Sequence, residues 1–170
     1  MPKIIQDKNL ETSVDRIKGM LFEVIKVKDD NGQVIRTFQI PLKVEIKIKD
    51  ILEIIVGSSI LAIPVAFTEE VWDLGQNLNF LNVLALSFIG FLFMAAFVYF
   101  SAYRLHMKMF RKEFLKRVFT IYFLSLLVVG LLLTVIGECP WISDFDVAMK
   151  RVMIGAFPAS MSATVTDSIS

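Results

Sequence analysis

The chain has 170 residues, 55% of them hydrophobic and 21% charged, with a mean hydropathy of +0.64. It is too apolar for an ordinary soluble domain and too short for more than one small membrane bundle. The formal net charge of +1 hides a sorting of charge along the chain; the six basic residues of one loop flank apolar runs and read as a topology signal, so no nucleic-acid binding is expected, and a single cysteine, Cys139, excludes an intrachain disulfide.

The first fifty residues are mixed and highly charged, with no continuous apolar stretch of the kind a cleavable signal needs, so the first apolar run is expected to act as an uncleaved anchor. Leu10, Val14, Ile17 and Leu21 recur at helical spacing, which predicts a short amphipathic helix from about Asn9 to Lys18, ended by Gly19. Leu21 to Lys28 and Gln33 to Ile40 are rich in β-branched residues and flank Asn31-Gly32, a hairpin signal. After Pro41, Leu42 to Lys49 alternates apolar and polar residues and predicts a third, half-buried strand. Residues 1–50 thus form an expected cytosolic α+β or β-hairpin region. The other reading lays these amphipathic pieces along the membrane surface.

Three apolar runs follow, at about 51–67, 80–100 and 118–137, each long enough to cross a bilayer. The charges between them are sorted by sign. Glu69, Glu70 and Asp73 follow the first run, and Glu138, Asp144 and Asp146 follow the third; the loop after the second holds Arg104, Lys108, Arg111, Lys112, Lys116 and Arg117 against Glu113. Cytoplasmic loops collect Lys and Arg, so the basic loop is expected in the cytosol and the acidic loops opposite.

The last stretch, about 147–168, carries Lys150, Arg151 and Asp167, but small residues fill helical lines: Gly155, Ala159, Ser162 and Thr166, then Ala156, Ser160, Ala163 and Asp167. Such stripes let membrane helices approach closely, which predicts a fourth spanning helix shielded by the other three. The expected fold is a membrane all-α domain of four transmembrane helices over residues 51–170. Both termini then lie in the cytosol, and Lys150 and Arg151 fall beside the outer acids.

Enzyme signatures are thin. His106 is the one histidine, and no phosphate loop or paired-histidine metal motif occurs, so no catalytic residue, cofactor or bound metal is expected. Carboxylates are the remaining candidates. Glu69 and Asp73 share one face of a continued helix, a spacing that suits oxygen ligation of a hard cation; the plainer reading is a solvated helix end. Pro64 should kink the first helix just before them. Glu53, one turn into the first span, is either an interior group or a carboxylate reaching back to Lys49. Ser58, Ser59, Ser125 and Thr134 either line a polar interior or bond their own backbone. Glu138 closes the third helix and Asp167 the fourth, and a break at Pro158 would set two interrupted helices across one bundle.

The segment from Ala62 to Gly75 (AIPVAFTEEVWDLG), and Gly155 to Ser160 (GAFPAS) with Ala163 and Asp167, resemble an uncharacterised family of small prokaryotic integral membrane proteins, over about Asp50 to Ser168. The resemblance implies a multi-pass protein with an embedded last helix, and it carries no activity or site residue with it.

The leading expectation is an oligomeric, channel-like or small-transporter protein of the cell membrane that handles monovalent or divalent cations. Its candidate ion-pathway residues are Glu53, Glu69, Glu70, Asp73, Glu138 and Asp167. The rival is a non-catalytic accessory or assembly protein that docks a partner through its cytosolic region.

Overall fold

A computed structural model of the chain describes residues 10–17, 20–29, 32–42, 45–104, 107 and 110–169. They form two compact units, divided at Glu45 and Ile46.

The first unit is a three-stranded antiparallel sheet in the order β1-β2-β3, with β1 Leu10–Ile17, β2 Met20–Lys28 and β3 Val34–Pro41. Strands β2 and β3 make the expected hairpin. At its tip Gly32 takes a φ of +78°, the left-handed region that glycine tolerates best. Strand β1 replaces the predicted helix. The spacing of Leu10, Val14 and Ile17 permits a helix, but Thr12 pairs with Ile25 and Val14 with Glu23, so long-range pairing with β2 overrides the local period. Asn9, Lys18 and Gly19, which bounded that helix, lie outside the described residues. Lys28 pairs with Glu11 across β1 and β2, and this hydrogen-bonded cation holds the exposed Glu11 carboxyl below its usual range.

Among the described residues of the predicted strand over Leu42 to Lys49, none is in a strand. β3 ends at Pro41, which has no N–H for a ladder, and Ile48 and Lys49 belong to the first turn of helix α1. The helix starts there because the Asp50 carboxylate accepts from the Lys47 N–H at 3.1 Å. Lys43 and Val44 lie outside the described residues.

The second unit is helical: α1 Ile48–Ala66, α2 Glu69–Asn77, α3 Phe80–Val98 with a π-helical turn Tyr99–Tyr103, α4 Arg111–Val135 and α5 Phe145–Ile169. Among the described residues, two helices are long and apolar enough to cross a membrane: α3 with its π turn, and α4. The pair α1 and α2 makes a third candidate if it counts as one span bent by 81°. The chain is thus mostly helical with two to three candidate spans, where the sequence predicted four. α5 is as long as α4, but its serines, threonines and charged ends keep it too polar to count.

Helix α1 continues through Pro64, and the bend comes at Phe67 and Thr68 instead. There the Trp72 indole donates to the Ala66 carbonyl at 3.0 Å and the Thr68 hydroxyl to the Val65 carbonyl at 2.7 Å, so the exposed end of α1 is satisfied by the residues that turn away from it. α5 is likewise unbroken at Pro158.

α5 packs against α1, α2, α3 and α4. Ala148, Ala156, Ala159 and Ala163 are fully buried along it, so the small-residue lines do bring neighbouring backbones close. A Cβ placed at Gly57 of α1 would lie 2.7 Å from Thr166, and one at Gly90 of α3 would lie 2.4 Å from the Phe157 ring. The outward faces are large and apolar. On α3, Leu81, Phe88 and Phe93 are exposed, and on α4 Phe119, Phe123, Leu127 and Leu131 form a continuous exposed stripe at helical spacing, the surface expected of a helix that faces hydrocarbon.

Candidate functional site

Helices α1, α4 and α5 each bring one buried charge to the same end of the bundle. Asp50 comes from the first turn of α1, Arg117 from the second turn of α4 and Asp167 from the last turn of α5; their exposures are 5%, 2% and 3%. The Arg117 guanidinium donates through Nη1 to Asp167 Oδ2 at 2.7 Å and through Nη2 to Asp50 Oδ2 at 3.0 Å. Both are charge-assisted bonds, and the one to Asp167 is at the short end of the normal range. One Asp50 oxygen therefore serves two donors, the Arg117 guanidinium and the Lys47 N–H that opens α1.

Glu53 sits one turn along α1 from Asp50 and joins the group. Carboxylate oxygens of Asp50, Glu53 and Asp167 lie within 4.8 Å of one another. Glu53 also pairs with the exposed Lys49 at 3.1 Å, so it reaches back toward the helix start while bordering the cluster. Tyr103, at the end of the π turn and fully buried, stacks edge-on against Phe114 and interacts with Arg117 from the α3 side. Asp50 and Asp167 thus share the buried Arg117 guanidinium, and Glu53, paired with Lys49, borders them. Oxygen ligands at this spacing suit a hard cation, although Arg117 already occupies two of the three carboxylates.

The opposite end of the bundle is fastened by cations from α5. Arg151 donates to the Glu138 carbonyl at 2.6 Å, to the Glu138 carboxylate at 3.0 Å and to the Trp72 carbonyl at 3.2 Å. Lys150 is buried, pairs with Asp146 at 2.9 Å and donates to the Leu78 carbonyl at 3.1 Å. Carbonyls at the end of α2 and in the α4–α5 loop are thereby capped by side chains of α5. Cys139 is buried beside this clamp. Burial raises its thiol above the usual range, and Arg151 opposes that rise.

Of the residues singled out by sequence, Glu53 and Asp167 come together in the Arg117 cluster. Glu138 lies at the other end, paired with Arg151, while Glu69, Glu70 and Asp73 stand exposed on α2 and belong to neither group. Asp50 and Arg117 were missed: one reads as the last residue of a polar segment, the other as one of six basic loop charges. The available signal was position, because α4 begins at Arg111 and carries Arg117 into the helical bundle. Ser58 and Ser59 bond the Ile55 carbonyl, Ser125 that of Ile121 and Thr134 that of Gly130, so these hydroxyls satisfy their own helices.

The family described as "Putative integral membrane protein (DUF2391)" matches residues 23–167, from within β2 to the last turn of α5. No curated protein and no solved structure matches the chain.

Proposed function

We propose a function for this chain from the premise that it belongs to the DUF2391 family of integral membrane proteins, to which residues 23–167 match: it handles cations, and its working centre is the Asp50–Glu53–Arg117–Asp167 cluster. The observation that carries the reading is the burial of two aspartates and an arginine where three helices meet, with a third carboxylate in reach. Ionisable groups are costly inside a membrane protein and mark ion or proton paths when they are retained there. The exposed Glu69, Glu70 and Asp73 then serve to concentrate cations near the opposite face, and Glu138 is held by Arg151.

In this reading α5 crosses the bilayer as a fourth helix inside a sheath of lipid-facing neighbours, and the chain sits in the cell membrane with both termini in the cytosol. α5 fills the middle of the bundle, so a continuous path requires a homo-oligomer whose copies supply the rest of its wall.

The test is cation flux into liposomes loaded with purified protein. Glu53→Gln should reduce flux at least tenfold while leaving thermal stability close to that of the parent, and Glu69→Gln with Glu70→Gln should reduce it less. Absence of flux from the parent protein would refute the reading. A second reading, an accessory protein that docks a partner, is favoured by strand β3, an edge strand that exposes Val34, Ile35, Phe38 and Ile40. A stoichiometric partner lost on Phe38→Lys, with no flux, would establish it.

A further inference from the structure

A groove runs between α1 and α4 on the half of the bundle that holds Arg117. It encloses roughly 370 Å³ and is lined by Ile51, Lys116, Phe119, Thr120, Phe123 and Leu124. Its walls are apolar along most of their length, Phe119 and Phe123 stand 59% and 61% exposed, and the single charge in the lining is Lys116 at one end. Lys112 lies one helical turn before Lys116 on the same face of α4, with Arg111 beside it, and all three are exposed. Among the described residues, no ion pair involves Lys112 or Lys116.

We propose that this groove is a binding site for an anionic phospholipid, with an acyl chain along Phe119, Thr120 and Phe123 and the headgroup phosphate on Lys116 and Lys112. α4 is long and apolar enough to span, and Phe119 and Phe123 lie on its exposed face, as expected of a groove that borders lipid hydrocarbon. The apolar walls suit a chain and the lysines suit a phosphate, and one amphiphile supplies both at the required ends. A soluble anion has no use for the walls, and a neutral lipid leaves the lysines uncompensated. A second copy packed here about a two-fold axis would bring each basic rim toward its equivalent, a like-charge contact.

The other half of α4 provides a control within the same molecule. There a larger groove of roughly 510 Å³, lined by Leu127, Gly130, Leu131 and Trp141 among others, has no charged residue, so it should accept acyl chains without regard to headgroup. The proposal concerns α4 and its lipid alone and stands or falls separately from cation handling.

The experiment is titration of the delipidated full-length protein with phosphatidylglycerol or phosphatidylcholine, read by native mass spectrometry. One phosphatidylglycerol should bind about tenfold more tightly than phosphatidylcholine. Lys116→Gln should cost roughly fivefold, and the Lys112→Gln, Lys116→Gln double variant should abolish the preference, as expected for basic side chains at an anionic bilayer surface. Thr120→Trp, which fills the groove and leaves every charge in place, should weaken the same site, whereas Leu131→Trp in the other groove should leave the preference intact. Equal affinity for the two lipids would overturn the proposal. So would a phosphatidylglycerol preference that survives the double lysine variant, or a groove covered by a second copy in a dimer that Thr120→Trp dissociates.

Discussion

Arg117 and Asp167 meet at 2.7 Å although Asp167 sits in the last turn of α5, where the helix dipole is negative and disfavours a carboxylate. Arg117 stands in the second turn of α4, beyond the reach of that helix's own dipole, and supplies the cation that offsets the penalty. Asp50, at the start of α1, adds the one carboxylate whose own dipole suits it.

That dependence predicts strong coupling. Arg117→Ala leaves two buried carboxylates without their guanidinium and should destabilise the protein by about 3–5 kcal/mol, and Asp167→Ala should do nearly as much. The double variant should cost less than the sum, because Asp167 then goes with its partner, although the buried Asp50 still loses its guanidinium. Thermal or denaturant unfolding in detergent measures all three, and additive losses would show that the pair acts as two independent contacts.

The contact between α1 and α5 predicts a packing limit beside the cluster. Gly57→Ala puts a methyl 2.7 Å from Thr166 and 3.0 Å from the Ala163 Cα, which should cost about 1–3 kcal/mol. Thr166→Gly removes the nearer obstruction only, so the double variant should recover part of the loss. A neutral Gly57→Ala in the same unfolding assay would mean that the two helices separate freely.

The clamp at the far end should be separable from the cluster. Arg151→Gln releases the Glu138 carboxylate and the Trp72 carbonyl, so hydrogen exchange should quicken in Glu69–Asn77 and hold steady in Ile48–Ala66. Equal acceleration in both helices would mean that the two ends of α5 open together.

Cys139 should respond to pH in a defined direction. Its thiol is raised by burial, so the folded protein holds that proton more tightly than the unfolded chain does. The resulting stabilisation is complete below about 8.5, the ordinary thiol value, and is lost as pH climbs from there through the raised folded value. Maleimide labelling at neutral pH should accordingly be slow in the folded state and rapid on unfolding, and Cys139→Ser should flatten the alkaline decline in stability. Fast labelling of native protein would contradict the burial.

The two most apolar helices and the β2–β3 hairpin were legible because their determinants are local: unbroken hydrophobic length in one case, a glycine turn between β-branched runs in the other. β1 was not, since Leu10, Val14 and Ile17 follow a helical period and fall on both faces of a strand, and only pairing with β2 makes the strand. The cluster was half legible. Glu53 and Asp167 stand out as charges near apolar runs, but Asp50 and Arg117 lie 67 residues apart in sequence and gain meaning only when α4 is seen to start before the apolar run does. The outward acids of α2 drew attention because the charge rule and a cation mouth produce the same residues.

Because α5 touches α1, α2, α3 and α4 and follows them all in the chain, the order of synthesis sets the order of assembly. The earlier helices reach the bilayer before their common partner exists. During that interval Arg117 has Asp50 available but not Asp167, and Thr166 and Phe157, against which Gly57 and Gly90 fit, have not yet been made. Packing around α5 therefore waits for the last helix, whereas the contacts of α4 with α1 and α3 need nothing that follows them.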